Sequence, residues 1–470
     1  MRYYIIGIGG VATGAVAGLL SQKGHGVGGS DGALWEPMKS TLSKHNIPVS
    51  SPFSVKNIEQ FKPDMVVVGN AISRGNVELE YVLAERLKYC SVVDCLRDEF
   101  IDGDLPRIPI VIAGTHGKTT TSALIAWILE YAGLDPTIFV GGILKHLDAG
   151  FKYGKGKYVV LEGDEYDTAF FDKNPKFLGY RPYIGVLNNI EFDHSDIFKD
   201  IEAVEYAFKL FMRLIPVSGF LAYSSEDARI TNTLKEGDKF FNGAVPTLSG
   251  VGLDTGDYRA EKISAKEDRT TFTAVGKKSS VELSVPLHGV HNIKNTLAAL
   301  AVAEHIGIPA DTIREALAKF PGVKRRAEIL KETDTVTLID DYAHHPTAVR
   351  ETIRGMRFKF PERRVVVLFE PGSASSRKRI FEQNYIEALS SADVVFLYKP
   401  FHAEAINPDE LFDIANVTEK LNERKISARH YENIEEFITN VKKEIKPKDV
   451  LVVMSCRGFD GLRERLVSEL

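Results

Sequence analysis

The sequence predicts an α/β protein of three domains in series, built on parallel sheets, with a small antiparallel sheet appended to the middle one. Three observations carry that prediction. Short β-branched apolar runs alternate with helical stretches along the chain. Two of these runs end in Gly-rich turns that open helices. Pro and Gly cluster at 102–109 and again at 321–322, dividing the chain into segments 1–105, 106–321 and 322–470.

In the first segment, RYYIIGI (2–8), MVVVG (65–69) and Val92-Val93 read as buried parallel strands. The second begins with IPIVIAG and continues through TIFVGG, KYVVLEGDE, YIGVLNN and GFLAYSSED. From Tyr258 to Pro286 polar and β-branched residues alternate, with a turn signal at 274–278, as expected of antiparallel strands. A helix should follow from about Asn292 to His305. In the third segment VTLIDD, RRVVVLFEP, ADVVFLYKP and DVLVVMS are the expected strands.

The 470 residues carry 59 Lys and Arg against 64 Asp and Glu, a formal charge of −5, which argues against a nucleic-acid partner held by a basic face. A composition 44% hydrophobic and 26% charged is that of a folded globular chain. Three cysteines (Cys90, Cys95, Cys456) cannot build a disulfide framework or a four-thiolate zinc site. No apolar run approaches the ~18–20 residues that span a bilayer, and the start MRYYIIGIGG lacks a signal peptide's pattern. The expectation is a cytoplasmic protein without membrane insertion.

The segment 108–130 is the most informative: a buried strand, a Gly-rich turn, Lys118, three threonines and an apolar helix. Backbone N–H groups at such a turn face an anion, Lys118 adds charge and a threonine hydroxyl can hold Mg²⁺, so a nucleoside triphosphate is the expected ligand. Ile112 stands where the longer phosphate-loop pattern has its first Gly, leaving Gly114-Thr115-His116-Gly117-Lys118-Thr119-Thr120. Near the start, Gly7, Gly9, Gly10 and Ala12 fit G-x-G-x-x-[GA], with Asp31 some twenty residues on. Alone, this turn fits a dinucleotide, hence an NAD-dependent oxidoreductase, or any diphosphate. Acidic clusters at 161–167 and 188–194 end two strands; Glu162 suits Mg²⁺, His194 less so, unless both are solvated loop groups. Asn292 either caps its helix or, with His291 and Asn295, has a functional role. Asp340-Asp341 with His344-His345 at another strand end is poorly explained by packing.

These pieces, in this order and over essentially the whole chain, resemble the Mur ligase family, ATP-dependent amide-bond-forming enzymes of peptidoglycan synthesis. The resemblance implies a Rossmann-like UDP-binding domain, a central P-loop ATPase domain and a Rossmann-like C-terminal domain that brings the incoming amine. It implies a UDP-sugar site at Gly7, Gly9, Gly10, Thr13, Asp31 and Asn70. For ATP it implies residues 114–120 with His291, Asn292, Asn295, Arg326 and Asp341. Mg²⁺ falls to Thr119, Glu162 and His194, and catalysis to Lys118, Arg326, His194 and His344. The stretches 69–76, 163–173 and 187–198 are similar to members that join L-alanyl-γ-D-glutamyl-meso-diaminopimelate to UDP-N-acetylmuramate; members that add L-alanine come next. Two departures stand where the amine should bind. Glu370-Pro371-Gly372-Ser373 replaces the usual Glu-Pro-Arg-Ser, with Arg377 or Arg379 as substitute cations, and Ser455-Cys456-Arg457 replaces Ser-Asn-Gly. Phe208 stands where some members carry a carbamylated lysine.

Overall fold

Strands β1 (Arg2–Ile6), β2 (Gly26–Ser30), β3 (Val49–Ser50), β4 (Met65–Val68) and β5 (Tyr89–Ser91) form a parallel sheet of order β3-β2-β1-β4-β5. This is a doubly wound sheet, and helix α1 (Val11–Gln22) crosses from β1 to β2. The computed structural model describes residues 1–266, 268–277 and 280–470; the Lys278 end of the expected 274–278 turn lies outside them.

One local reading changes. Val92 and Val93 are helical, within Val92–Leu96: Ser91 caps the helix by accepting from Asp94 N–H, while the Asp94 carboxylate accepts from Ser91 N–H (3.0 and 3.1 Å). Both valines are buried, which is why they resemble a strand. Conversely, Gly-Val-Gly-Gly-Ser forms β2 despite its poor strand propensity. A Cβ on Gly29 would lie 2.3 Å from the Ile5 carbonyl and one on Gly28 2.7 Å from the Phe61 ring, so close packing selects glycine there.

The middle block holds a seven-stranded sheet. Its members are β6 (Ile108–Ala113), β7 (Thr137–Leu144), β8 (Ala149–Lys152), β9 (Tyr158–Glu162), β12 (Ile184–Leu187), β13 (Phe220–Ser224) and β14 (Thr247–Val251). The hairpin β10 (Asp167–Ala169) and β11 (Asp172–Pro175) stands apart from it. The order is β14-β13-β12-β6-β9-β7-β8, with only β8 antiparallel to its neighbour. An antiparallel sheet of β15 (Arg259–Lys266), β16 (Arg269–Val275) and β17 (Ser280–Val285) follows, as its alternation predicts. Helices α2 (Lys118–Tyr131) and α3 (Val290–Ile306) share one apolar core with it.

The last block is a six-stranded sheet of β18 (Glu328–Glu332), β19 (Val336–Asp341), β20 (Val365–Phe369), β21 (Val394–Tyr398), β22 (Ser427–Tyr431) and β23 (Asp449–Met454). Its order is β18-β19-β23-β20-β21-β22, parallel except for edge strand β18. Helix α4 (Pro346–Lys359) follows β19. Among the described residues no helix is long and apolar enough to cross a membrane.

Candidate active site

Strand β6 runs between β12 and β9, with Ile112 opposite Glu162 and Ala113 opposite Leu187. The carboxyl ends of three strands therefore meet around the turn 114–117, where open α/β sheets bind ligands. That register brings the acidic clusters at 161–167 and 188–194 to the phosphate-type loop.

The turn requires glycine. Gly117 has φ +80°, and a Cβ there would lie 2.6 Å from Asn295 Oδ1 and 2.9 Å from Asn188 Nδ2. Lys118 opens α2 and is half-buried: its ammonium donates to the Gly114 and Thr115 carbonyls (2.8 and 3.2 Å) and to Glu165 (2.7 and 3.0 Å). Burial opposes its charge, but Glu165 and Asp164 outweigh that and raise its pKa. Glu165 is 2% exposed and also lies 3.0 Å from His194 Nε2. Burial likewise disfavours charge on His194, yet Glu165 and Asp193 raise its pKa on balance. Thr119 donates to Glu162 Oε1 (2.9 Å), whose second oxygen accepts from Gly141 N–H (2.7 Å).

Arg326 enters from the last block and donates through Nη2 to Thr119 Oγ1 (2.9 Å). Other contacts join the same two blocks. Thr347 donates to Glu191 (2.6 Å), Ser195 N–H to Ser375 Oγ (3.2 Å), and His345 Nε2 lies 3.2 Å from the Phe192 carbonyl. His116, Glu191 and His345 place one ligand-type atom each within 4.8 Å of the others. Both His345 nitrogens are already engaged, Nδ1 by capping α4 at Thr347 N–H (3.3 Å). Burial against Glu191's charge is outweighed by His116, Thr347 and His345, which hold its carboxyl at about 2.

Between the blocks lies a cavity of about 490 Å³, lined by Gly117, Thr120, His291, Asn292, Asn295, Arg326 and Asp341 among others. Asn292 does not cap α3: the helix starts at Val290, and the amide donates back to the His288 carbonyl (2.8 Å). Asn295 donates to Asn292 Oδ1 (3.1 Å). Burial pushes His288 and His291 down to about 4, and the buried His291 Nδ1 has no hydrogen-bond partner among the described residues. That unsatisfied nitrogen, on a residue lining the cavity, fits a hydrogen-bonding ligand such as a base. Asp341 accepts from Ala327 and Ala343 N–H (2.7 Å each), and burial raises its pKa. His344 Nδ1 lies 2.9 Å from the Tyr342 carbonyl, and burial brings its pKa to about 4.

The N-terminal glycine turn is a separate cluster. Gly7 has φ +81°; Thr13 donates to the Gly7 and Gly10 carbonyls (2.7 and 3.0 Å). Asp31 accepts from Gly9 and Gly32 N–H (2.8 and 2.7 Å). Asn70 is half-buried after β4, where a Cβ on its neighbour Gly69 would lie 3.2 Å from Thr13 Cγ2. Phe208 is wholly buried and stacks on Phe177 (5.4 Å), a core position.

Sequence reasoning missed Glu165, Glu191 and His288. The first two sit in clusters it singled out, where alternation cannot tell which carboxylate points inward. His288 precedes the helix with no pattern of its own.

Three family models cover the chain: Mur ligase family, catalytic domain (residues 2–99), Mur ligase middle domain (112–303) and Mur ligase, glutamate ligase domain (325–457). The chain is 34% identical over 472 residues to the UDP-N-acetylmuramate--L-alanyl-gamma-D-glutamyl-meso-2,6-diaminoheptandioate ligase of Escherichia coli, covering 100% of this chain and 98% of that one. It is also 34% identical over 475 residues to the UDP-N-acetylmuramate--L-alanine ligase of Desulforapulum autotrophicum (99% and 98%). A murein peptide ligase from Psychrobacter arcticus superimposes with a TM-score of 0.73 at 30% identity, covering 100% of this chain and 98% of that chain. The UDP-N-acetylmuramate-alanine ligase of Thermotoga maritima, at 24% identity, shares the fold (TM-score 0.80; 100% and 98%).

Proposed function

The chain belongs to the Mur ligase family, and from that premise we propose that it joins the lactyl carboxylate of UDP-N-acetylmuramate to the amine of L-alanyl-γ-D-glutamyl-meso-diaminopimelate, at the expense of ATP. The domains are 1–105 for the UDP-sugar, 106–321 for ATP and 322–470 for the amine. One observation carries the reading: a half-buried lysine and paired hydroxyl and carboxylate oxygens at the end of β6 are met by Arg326 from another block.

The lactyl carboxylate takes the γ-phosphoryl group, ADP leaves, and the amine displaces phosphate from the acyl phosphate. Repulsion between anions dominates the first barrier, so Lys118 and Arg326 act as fixed electrostatic clamps. To engage phosphate, Lys118 exchanges its contacts to Glu165 and the loop carbonyls for phosphate oxygens. His116 and the backbone of 114–120 cradle the phosphates, Asn292, Asn295 and His291 face the base, and Asp341 the ribose. Gly7, Gly9, Gly10, Thr13, Asp31 and Asn70 hold the UDP-sugar.

Thr119 and Glu162 present hard oxygen donors side by side, which fits Mg²⁺, with His194 as a further ligand. Bound there, Mg²⁺ supplies charge neutralisation at the phosphates. The amine must lose a proton. His345 is ill suited because both its nitrogens are engaged. His344 donates Nδ1–H to the Tyr342 carbonyl, leaving its Nε2 as the acceptor.

The test is phosphate release with ATP, Mg²⁺ and UDP-N-acetylmuramate, comparing the tripeptide with L-alanine. Turnover with the tripeptide alone is expected. Turnover with alanine alone replaces this reading by the second, which the equal identity to an L-alanine ligase favours. EDTA should abolish turnover and restored Mg²⁺ should recover it.

A further inference from the structure

Arg457 is an exposed cation without an ion-pair partner among the described residues, yet it is held in place. Its N–H donates to Ser455 Oγ (2.8 Å) and its carbonyl accepts from Arg463 Nη1 (2.9 Å). Its side-chain Nε donates to the Gly372 carbonyl (3.1 Å), and the guanidinium covers the Phe401 ring at 5.0 Å. Phe401 is itself fixed, donating to the Pro371 carbonyl (2.9 Å) and accepting from Arg377 Nη1 (2.9 Å).

The packing explains why residue 372 is glycine. A Cβ there would lie 2.8 Å from Arg457 Cγ and 3.1 Å from Cys456 Sγ, so the stem of Arg457 occupies the space a side chain at 372 would use. The guanidinium projects from the carboxyl edge of the last sheet. Ser455–Arg457 leave β23 and Glu370–Ser373 leave β20, its direct neighbour. The same loop reaches Ser375, whose hydroxyl accepts from Ser195 beside His194, so this edge borders the cleft between the two blocks.

An ordinary surface arginine is mobile and its pairing is weak. Arg457 is preorganised by backbone and aromatic contacts, and its Nη1 and Nη2 donate to no described residue. That leaves the planar edge that accepts one carboxylate in bidentate fashion. Arg377 and Arg379 do not offer this: the first is spent on the Ser373 and Phe401 carbonyls, and the second faces Glu382 and Asp413.

We propose that Arg457 binds a carboxylate of the incoming amine substrate, using the space left by Gly372. The proposal rests on the ligase reading above. The test compares wild type with Arg457→Gln, using the tripeptide and versions of it with one carboxylate amidated at a time. R457Q should raise the tripeptide KM about ten- to hundredfold, the loss of a charge-assisted bidentate contact, with kcat, the KM for ATP, the KM for UDP-N-acetylmuramate and the melting temperature unchanged. One amidation should penalise wild type by the same factor and R457Q not at all. An unchanged peptide KM in R457Q, a loss spread over all three substrates, or amides that all act like the parent peptide each overturns the proposal. Absence of wild-type turnover with the tripeptide overturns the underlying reading, and is visible before any substitution is made.

Discussion

The two glycine turns, at 7–13 and 114–118, are the same local device placed in opposite electrostatic surroundings. Each follows the first strand of its sheet and opens a helix. In the first, the carboxylate of Asp31 takes the Gly9 N–H and the Thr13 hydroxyl braces the loop carbonyls. In the second, a half-buried lysine stands among carboxylates from a neighbouring strand end, and an arginine reaches in from another block. A glycine turn thus supplies backbone donors; strand order decides which charges surround them. The first cluster can bind and orient an anion, whereas the second can also stabilise charge that develops during a reaction.

Substitutions can break or sharpen that contrast. The largest effect is expected for Lys118→Ala, which should lower ADP formation at least about 10³-fold, with near-ultraviolet circular dichroism showing a folded chain. Full turnover by the folded variant would remove the distinction between the turns. Gly117→Ala comes next: with φ +80° and a Cβ 2.6 Å from Asn295 Oδ1, it should raise the ATP KM about ten- to hundredfold. Asp31→Ala should raise the UDP-sugar KM about tenfold and leave the ATP KM unchanged; a shift in both would show that the two turns are coupled.

The smallest effect concerns closure of the last block. Glu191, held at about 2 against an ordinary 4.5, contributes stability that is complete above about pH 4.5 and is lost as pH falls toward 2. Denaturation midpoints of wild type and Glu191→Gln should therefore differ at pH 7 and converge near pH 2. The difference should be modest, since the side chain is 35% exposed. A gap that persists at pH 2 would assign the effect to packing.

Much of this was legible in the sequence because it is local. The apolar runs of β6, β19, β20, β21 and β23, the alternation of β15–β17 and both glycine turns are encoded within a few residues. Val92-Val93 was misleading for the converse reason, because a capping box sets its conformation, and Gly26–Ser30 carried no strand signal because a close backbone approach selects its glycines. At the site, the glycine turn pointed to Lys118 and Thr119 and the acidic clusters to Glu162 and His194, while Arg326 came only from the family resemblance. It could not single out Glu165 from Asp164, because both stand in one acidic run and only the fold aims Glu165 at Lys118. Nor could it link Gly372 to Arg457, which lie 85 positions apart and meet through the pairing of β20 with β23.

By itself, then, the sequence determined the α/β class, the phosphate-type turn and the family resemblance, since each depends on spacing along the chain. The tertiary structure alone decided which carboxylate pairs with Lys118, that Arg326 reaches Thr119, and which arginine stands free at the last sheet's edge. Those outcomes depend on strand order and on the docking of blocks, where burial and Coulombic interaction act between residues far apart in sequence.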